Sequence, residues 1–334
     1  MHQLQCQCGQ TVFSENTQCI NCGRVLGFDP FLGKMFSLDA QPDGRLKDSD
    51  GMLWQLCANR ELHQVCNGLT EAVTPGALCA GCALNRTIPV LDRPENLRRW
   101  EKLESAKRRM ITGLSRLGLD VRSKINSHSA GMRFDFMEDQ RSHPDVLETF
   151  VSTGHKNGVI TINVVEADDV QRVRARELMG ERYRTLLGHF RHEAGHFFYT
   201  ELTPDCAAFM QLFGDPSEDY DSALAAYYSD GPPADWGRNF ISAYACSHPL
   251  EDWAECFAHY LHMRDALTTA TACKLATISD SANLSEQLQA WSALSMGLNE
   301  ISRSLGQRDA YPFVITAEIA QKLAFVHEAI ARAG

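Results

Sequence analysis

The sequence lacks the segments that would carry a protein into or across a membrane. No stretch approaches about 18 uninterrupted apolar residues, the length at which a run becomes a candidate transmembrane helix. Residues 1–20 hold no basic segment followed by an apolar one, which is the pattern of a secretory signal peptide. We therefore expect a cytoplasmic protein that has no membrane partner.

Basic charge is also scarce. The 334 residues carry a formal net charge of −10, and residues 1–90 hold eight acidic against six basic residues. Such a segment can neutralise few phosphates, so we do not expect a nucleic-acid partner. Residues 93–124 are an exception, with ten Lys or Arg against four acidic residues. Their signs alternate along a predicted helix, which we interpret as a solvated face. The residues of that face are Glu101, Lys102, Glu104, Lys107 and Arg108.

Cysteine, in contrast, is abundant and clustered. Eight of the 12 cysteines fall within the first 82 residues, in a chain where we expect no secretion and hence no disulfide framework. Clustered thiolates in such a chain are typical of structural zinc sites. The eight candidate ligands are Cys6, Cys8, Cys19, Cys22, Cys57, Cys66, Cys79 and Cys82.

Glycine follows the cysteines at Gly9 and Gly23, where it permits the backbone turn that points amides at sulfur. We expect two structural zinc sites in a loop-rich ribbon module over residues 1–90. Sequential pairing, four cysteines and then four, is the simplest arrangement. Interleaved pairing remains open, and His63 remains an alternative ligand to Cys57.

A different metal motif lies at His192-Glu193-Ala194-Gly195-His196. Apolar residues recur near the helical period from Asp168 to Leu202, so we predict one long helix over that range. Histidines four residues apart then share one face and can bind a single zinc ion, with Glu193 beside the water on that ion. We predict His192 and His196 as ligands.

A second predicted helix offers the remaining ligand. Glu251 and Glu255 lie four apart and therefore on one face, so that one carboxylate can bind the metal and the other can support it. Asp252 and His248 remain alternatives for the third ligand.

The combined pattern, HExxH followed 55 residues later by E-x-x-A-E-x-F, resembles the gluzincin metallopeptidases and their lethal-factor-like group. With residues 183–191 and the cysteine array, nearly the whole chain resembles the bacterial zinc-ribbon, zinc-binding metallopeptidases. The resemblance implies Glu251 as third ligand and Glu255 as the acceptor of a hydrogen bond from a liganding histidine. It also singles out Tyr244, seven residues before Glu251.

These features predict an α+β protein: a mainly helical zincin-type domain with a small sheet over residues 91–334, preceded by the ribbon module. Alternation and β-branched residues predict strands over residues 132–137 and 159–165, joined to an earlier strand by a hairpin turn at Asn157-Gly158. The second strand precedes the metal helix, and the resemblance to zincins implies an edge strand that pairs with a peptide substrate, with an ordinary sheet strand as the alternative.

The predicted function is peptide-bond hydrolysis. Three protein ligands leave zinc one position for water, and Glu193 accepts the proton of that water as general base. Tyr244 is the preferred donor to the carbonyl oxygen, with Tyr311 and His248 as alternatives. We expect one catalytic and two structural zinc ions, and a peptide or protein substrate. The alternative is an inactive zincin that serves as an adaptor and binds a protein partner through its ribbons; the intact Glu193 favours the enzyme.

Overall fold

The computed structural model describes residues 4–71, 76–121, 131–179, 185–203, 206–279 and 282–333. It divides into two units at Val173 and Arg174, within one helix, and together they form an α+β protein. The motif residues Tyr183 and Arg184 lie outside the described ranges. Within those ranges no helix is long and apolar enough to cross a membrane.

The first unit begins with a two-stranded hairpin and a five-stranded antiparallel sheet. The sheet strands run in sequence order, each paired with the next. A short helix follows the fourth strand of the sheet. The elements are β1 (Leu4–Gln5), β2 (Thr11–Val12), β3 (Val25–Asp29), β4 (Lys34–Ala40), β5 (Leu46–Lys47), β6 (Leu53–Leu56), α1 (Ala58–His63) and β7 (Leu69–Thr70).

This part of the chain has more β structure than the loop-rich module predicted from sequence. Buried side chains of β3 and β4 form two small apolar clusters with neighbouring strands. Burial of these side chains stabilises the sheet at roughly 25 cal/mol per Å² of apolar surface. The core residues are Leu26, Phe28, Met35, Phe36, Leu38 and Leu46.

The same unit continues into a long helix and a four-stranded mixed sheet of order β10-β11-β9-β8. Strands β8, β9 and β11 are parallel, and β10 is antiparallel to β11. The buried face of the helix carries Trp100, Leu103 and Met110. The elements are β8 (Asn85–Thr87), α2 (Pro94–Arg116), β9 (Arg133–Met137), β10 (Gly154–Lys156), β11 (Val159–Asn163) and α3 (Asp169–Met179).

Two strand predictions have different outcomes. The hairpin at Asn157 and Gly158 is confirmed, because both residues have positive φ and join β10 to β11 in register. The prediction of β11 as an edge strand is wrong. β11 pairs with β10 on one side and β9 on the other, so its backbone groups are used within the sheet.

The interpretation of α2 as a solvated charged face holds for the exposed Glu101 but is wrong for three of its five residues. Lys107 and Glu104 are fully buried, and Arg108 is nearly so. Lys107 Nζ lies 2.9 Å from Glu104 and donates to Asn85 Oδ1, while Trp100 Nε1 donates to Glu104 Oε1. Glu104 and Lys107 therefore form an internal hydrogen-bonded ion pair, which offsets the cost of burying both charges.

The second unit is helical. Its helices are α4 (Leu186–Leu202), α5 (Cys206–Phe213), α6 (Tyr220–Asp230), α7 (Pro249–Ala272), α8 (Leu284–Ser304) and α9 (Ala317–Ala333). The prediction of one helix from Asp168 to Leu202 is wrong, since Thr185 has an extended backbone and caps α4. Its side chain accepts a hydrogen bond from the backbone N–H of Gly188, which satisfies a donor at the helix start. Helix α7 is central to this unit and packs against α4, α8 and α9.

Candidate metal centre

Helices α4 and α7 cross at Gly195 and Ala254. A Cβ added at Gly195 would lie 2.9 Å from the Ala254 Cα, so glycine permits this close approach. The indole Nε1 of Trp253 donates to the Gly195 carbonyl over 2.8 Å and fixes the crossing. The glycine of the HExxH motif thus sets the distance between the two helices.

The crossing places the candidate ligands opposite one another. On α4, His192 lies three residues before the crossing and His196 one residue after it. On α7, Glu251 and Glu255 have the same offsets from Ala254. Residues at such offsets share a helix face, so both histidines and both carboxylates face each other across the contact.

Three of these side chains converge on one point. His192 Nε2 lies 3.1 Å from His196 Nε2 and 2.9 Å from Glu251 Oε2, and His196 Nε2 lies 3.3 Å from Glu251 Oε1. Ligands on a tetrahedron around zinc would be about 3.3 Å apart, because Zn–N and Zn–O bonds are about 2.0–2.1 Å. The observed spacing and the two-nitrogen, one-carboxylate donor set fit zinc.

Glu255 lies behind this group and does not join it. Its Oε1 accepts a hydrogen bond from His192 Nδ1 over 2.7 Å, because an ionised carboxylate can only accept. His192 therefore presents the lone pair of Nε2 to the point where the three side chains converge. This is the usual arrangement of a metal-ligating histidine and its supporting carboxylate.

The electrostatics of the site call for a cation. Burial by itself lowers the pKa of His192, but the Glu251 and Glu255 carboxylates outweigh it and raise that pKa well above its ordinary value. Burial by itself raises the pKa of Glu251, yet His196 and His192 hold it well below its ordinary value. Against burial, the His192 hydrogen bond lowers the pKa of Glu255 to about 2. Two ionised carboxylates in a buried site require a compensating positive charge.

One oxygen of Glu251 points to the same conclusion. Glu251 is only 1% exposed, and no hydrogen-bond donor among the described residues reaches its Oε2 with favourable geometry. His192 Nε2 is close at 2.9 Å, but in a neutral ring that donates to Glu255 through Nδ1 this nitrogen carries a lone pair, as a metal ligand must. A buried carboxylate oxygen that faces nitrogen lone pairs and has no donor destabilises the fold. A metal ion bound between these atoms would remove that cost.

The proposed catalytic residues border this group. Glu193 directly follows His192 and is buried, at 7% exposure. The ring of Tyr244 lies 5.9 Å from that of His192, in a short 3₁₀ turn that packs on α7. Burial, then the charge of Glu251, raises the pKa of Tyr244, so the phenol stays protonated and can donate.

The alternative ligands and donors have other partners. Asp252 forms an ion pair with Lys322 over 2.5 Å, and His248 caps α7 by accepting from the Leu250 N–H. Tyr311 hydroxyl lies 2.7 Å from His259 Nδ1. The ring of His63 packs at a tilt against that of Trp100, with centroids 5.5 Å apart. The structure brings none of these four side chains to the His192 and His196 pair or to a cysteine cluster.

The first cysteine cluster contains Cys6, Cys8, Cys19 and Cys22. The Sγ atoms of Cys6 and Cys22 are 3.6 Å apart, and those of Cys8 and Cys19 are 3.7 Å apart. Sulfurs on a tetrahedron around zinc would be about 3.8 Å apart, because Zn–S bonds are about 2.3 Å. The backbone N–H of Gln10 and the Asn21 amide donate to Cys8 and lower its pKa to about 6, which favours the thiolate.

The second cluster contains Cys57, Cys66, Cys79 and Cys82, all buried. Cys66 and Cys79 Sγ are 3.6 Å apart, and the backbone N–H groups of Gly68 and Cys79 point at sulfur. A Cβ on Gly68 would lie 2.5 Å from Cys79 Sγ, so only glycine fits beside this cluster. The structure therefore groups the eight cysteines sequentially, four and four.

Comparison with known proteins agrees with these clusters. Residues 96–329 match the family described as "Putative zinc-binding metallo-peptidase". The chain belongs to this metallopeptidase family. Residues 3–93 match a zinc-ribbon domain, which directly precedes the region that matches the metallopeptidase family.

Relatives of the metallopeptidase chain occur in mycobacteria. Uncharacterized proteins of Mycobacterium bovis and of two strains of Mycobacterium tuberculosis are each 39% identical to it over 343 aligned positions. The alignments cover 99% of this chain and 95% of each relative. No solved structure matches the chain.

Sequence reasoning missed one residue of the metal centre, Tyr220. Its hydroxyl donates to Glu251 Oε1 over 2.5 Å, although 31 positions separate the two residues. Asp219, which precedes it, is a helix-capping residue type, and this signal marks Tyr220 as the start of a helix. No sequence pattern connects that helix start to the metal ligands.

Proposed function

We propose that the protein is a zinc-dependent peptidase of the gluzincin type, with a zincin-like catalytic domain over residues 91–334 and a zinc-ribbon module over residues 1–90. The observation that carries the proposal is the convergence of His192, His196 and Glu251 beside the buried Glu193. Membership of a family of zinc-binding metallopeptidases supports the same reaction class.

Zinc bound by three protein ligands supplies a Lewis acid with one open position, at which the pKa of water falls to about 7. The chain provides the proton acceptor. Glu193 is buried and shares helix α4 with both histidines, and its charge helps to raise the pKa values of Tyr220 and Tyr244. A carboxylate there can accept a proton from water and pass it to the leaving amine of the cleaved peptide bond.

Tyr244 completes the proposed set of catalytic residues. Negative charge develops on the carbonyl oxygen of the substrate during hydrolysis, and a protonated phenol in a dry site can stabilise it. Tyr244 is protonated because burial and the charge of Glu251 raise its pKa. The substrate is a peptide or protein, and the ribbon module is a surface through which a protein partner can bind.

The proposal assigns three zinc ions to the chain. Two lie in the cysteine clusters, where four thiolates close the coordination shell and the role is structural. The third lies between α4 and α7, where the protein offers three ligands and the ion remains exchangeable. Glu255 supports this third site by orienting His192.

The test is the Glu193→Gln variant of the full chain, assayed with a peptide library and analysed by mass spectrometry. Zinc content should stay at the wild-type value, while cleavage should fall by about 10²–10⁴-fold, the usual contribution of a general base. Glu201→Gln is the matched control, because Glu201 is exposed on the same helix. A Glu193→Gln protein that cleaves as fast as wild type would overturn the proposal. A zinc-loaded wild type that cleaves nothing would favour the adaptor.

A further inference from the structure

Helix α6 presents one side chain to the metal centre. Asp219 caps the helix by accepting a hydrogen bond from the Ser222 N–H over 2.7 Å, which makes Tyr220 its first residue. No residue within α6 is buried, and Tyr220 itself is 40% exposed. The ring of Tyr220 nevertheless packs edge-on against that of His248, the residue that caps α7, at 5.0 Å. The start of α6 is thereby held next to the start of α7.

The hydroxyl of Tyr220 makes the two oxygens of Glu251 unlike each other. Oε1 accepts the 2.5 Å hydrogen bond from Tyr220, while Oε2 lies 2.9 Å from His192 Nε2 and is reached by no suitable donor in the described part of the chain. A carboxylate with two free oxygens can bind a metal ion through one or both. Here one oxygen is already engaged.

The direction of this hydrogen bond follows from the charges. Tyr220 donates its proton to Glu251 Oε1, because a phenol is protonated at neutral pH and an ionised carboxylate can only accept. This hydrogen bond ties the first residue of α6 to the third candidate ligand.

Building on the proposed peptidase function, we propose that Tyr220 is a positioning residue that holds Glu251 Oε1 and thereby directs Oε2 alone to the zinc ion. A carboxylate that binds through one oxygen occupies one coordination position instead of two. The position that this saves is the one that water and the substrate carbonyl require.

The decisive variant is Tyr220→Phe, which removes the hydroxyl and keeps the ring against His248. Its matched control is Tyr260→Phe, because the Tyr260 hydroxyl lies 2.7 Å from His327 Nδ1 on the same unit, and no hydrogen bond among the described residues joins that hydroxyl to the metal ligands. Both variants are made in the full chain. Zinc affinity of the exchangeable site is measured by competition with a chelator, without any substrate.

Loss of an outer hydrogen-bond partner typically weakens metal binding about 10–100-fold, and we expect Tyr220→Phe to fall within this range. The second readout is visible absorption after Co²⁺ replaces only the exchangeable ion. Four-coordinate Co²⁺ absorbs more strongly than ions of higher coordination number, so the band should weaken if Glu251 becomes able to bind through both oxygens. Tyr260→Phe should match wild type in both measurements.

Unchanged zinc affinity in Tyr220→Phe would overturn the proposal, as would an equal loss of affinity in Tyr260→Phe. Weakened binding with an unchanged cobalt spectrum would also contradict it, because the number of liganding oxygens would then not depend on Tyr220. These readouts need no catalysis, so they stay separate from the Glu193→Gln test. If the Glu193→Gln test failed, the peptidase function would be wrong. Tyr220 would then still position Glu251, but at a metal site without catalytic activity.

Discussion

The chain builds its candidate metal sites in two different ways. The cysteine clusters take their ligands from turns and strand ends, with four thiolates each. The His192, His196 and Glu251 group takes its ligands from two long helices that pack closely at Gly195 and Ala254. We therefore expect the cysteine-bearing segments to need metal in order to fold. The packing of α4 and α7, in contrast, positions the ligands before a metal ion binds.

The difference has a physical basis in charge and burial. Four thiolates within tetrahedral distance repel one another unless a cation lies between them, so binding and folding are coupled. The crossing of α4 and α7 instead rests on apolar contacts, including stacked rings of Phe198 and Phe257 and the buried Trp253. Removing metal should therefore have opposite consequences for the fold at the two kinds of site.

The largest effect is expected for Cys66→Ser, which removes a thiolate from the buried cluster. Structural zinc contributes on the order of 10 kcal/mol to the folding of small zinc modules at neutral pH. We expect loss of one zinc ion and unfolding of the cysteine-bearing strands, residues 4–71. Hydrogen exchange resolved by peptide, together with zinc counting, measures both.

Cys273→Ser is the control for this variant, because Cys273 is exposed and outside both clusters. It should keep all zinc and normal protection from exchange. If Cys66→Ser keeps residues 4–71 protected after losing its zinc, the proposed contrast between the two kinds of site is wrong.

Glu251→Ala should change the fold less than Cys66→Ser does. It should nevertheless strongly weaken binding of the exchangeable zinc ion. Removal of a direct ligand should weaken zinc binding by more than the roughly 10–100-fold cost of losing an outer partner. Mild chelation removes the exchangeable ion from wild type as well. After that treatment, the variant and wild type should therefore hold the same amount of zinc. The protection of α4 and α7 from hydrogen exchange should persist.

Glu318→Ala, at an exposed position of α9, should behave as wild type in the same assay. Retention of the exchangeable ion by Glu251→Ala at unchanged affinity would show that another carboxylate is the ligand. Glu255 would then be the first candidate, because it is the nearest remaining acid to His192.

The smallest effect is expected for Glu255→Gln. Glutamine keeps an oxygen that can accept from His192 Nδ1 but removes the charge that makes the imidazole a better ligand. Zinc affinity should fall about 10-fold, at the lower end of the range for outer partners, with no change in the number of ions at saturation. Chelator competition measures this shift. A loss as large as that of Glu251→Ala would mean that Glu255 itself binds the ion.

The candidate ligands could be chosen from the sequence because helical periodicity is a local property. Four-residue spacing places His192 with His196, and Glu251 with Glu255, on single faces, and the structure brings these faces together. The strand and hairpin around Asn157 are likewise local and are confirmed. The predicted resemblance to a zinc-ribbon, zinc-binding metallopeptidase family is also confirmed by the two matching family models.

What the sequence did not predict depends on tertiary contacts. Whether β11 lies at an edge or inside the sheet depends on which strands flank it. The burial of Lys107 depends on Glu104 and Asn85, which accept hydrogen bonds from it. The end of the helical run before Thr185 was hidden because apolar spacing continues across it. Tyr220 was missed because α6 has no buried face and its contact with Glu251 is distant in sequence.

The most direct test of the account follows zinc content and peptide cleavage together during graded chelation of the wild-type protein. The account predicts three zinc ions per chain, of which a mild chelator removes one. Cleavage should disappear with that ion, protection of residues 4–71 from exchange should remain, and one equivalent of zinc should restore activity. Cleavage that survives removal of this ion, or that falls only when the cysteine-bound ions leave, would contradict the account.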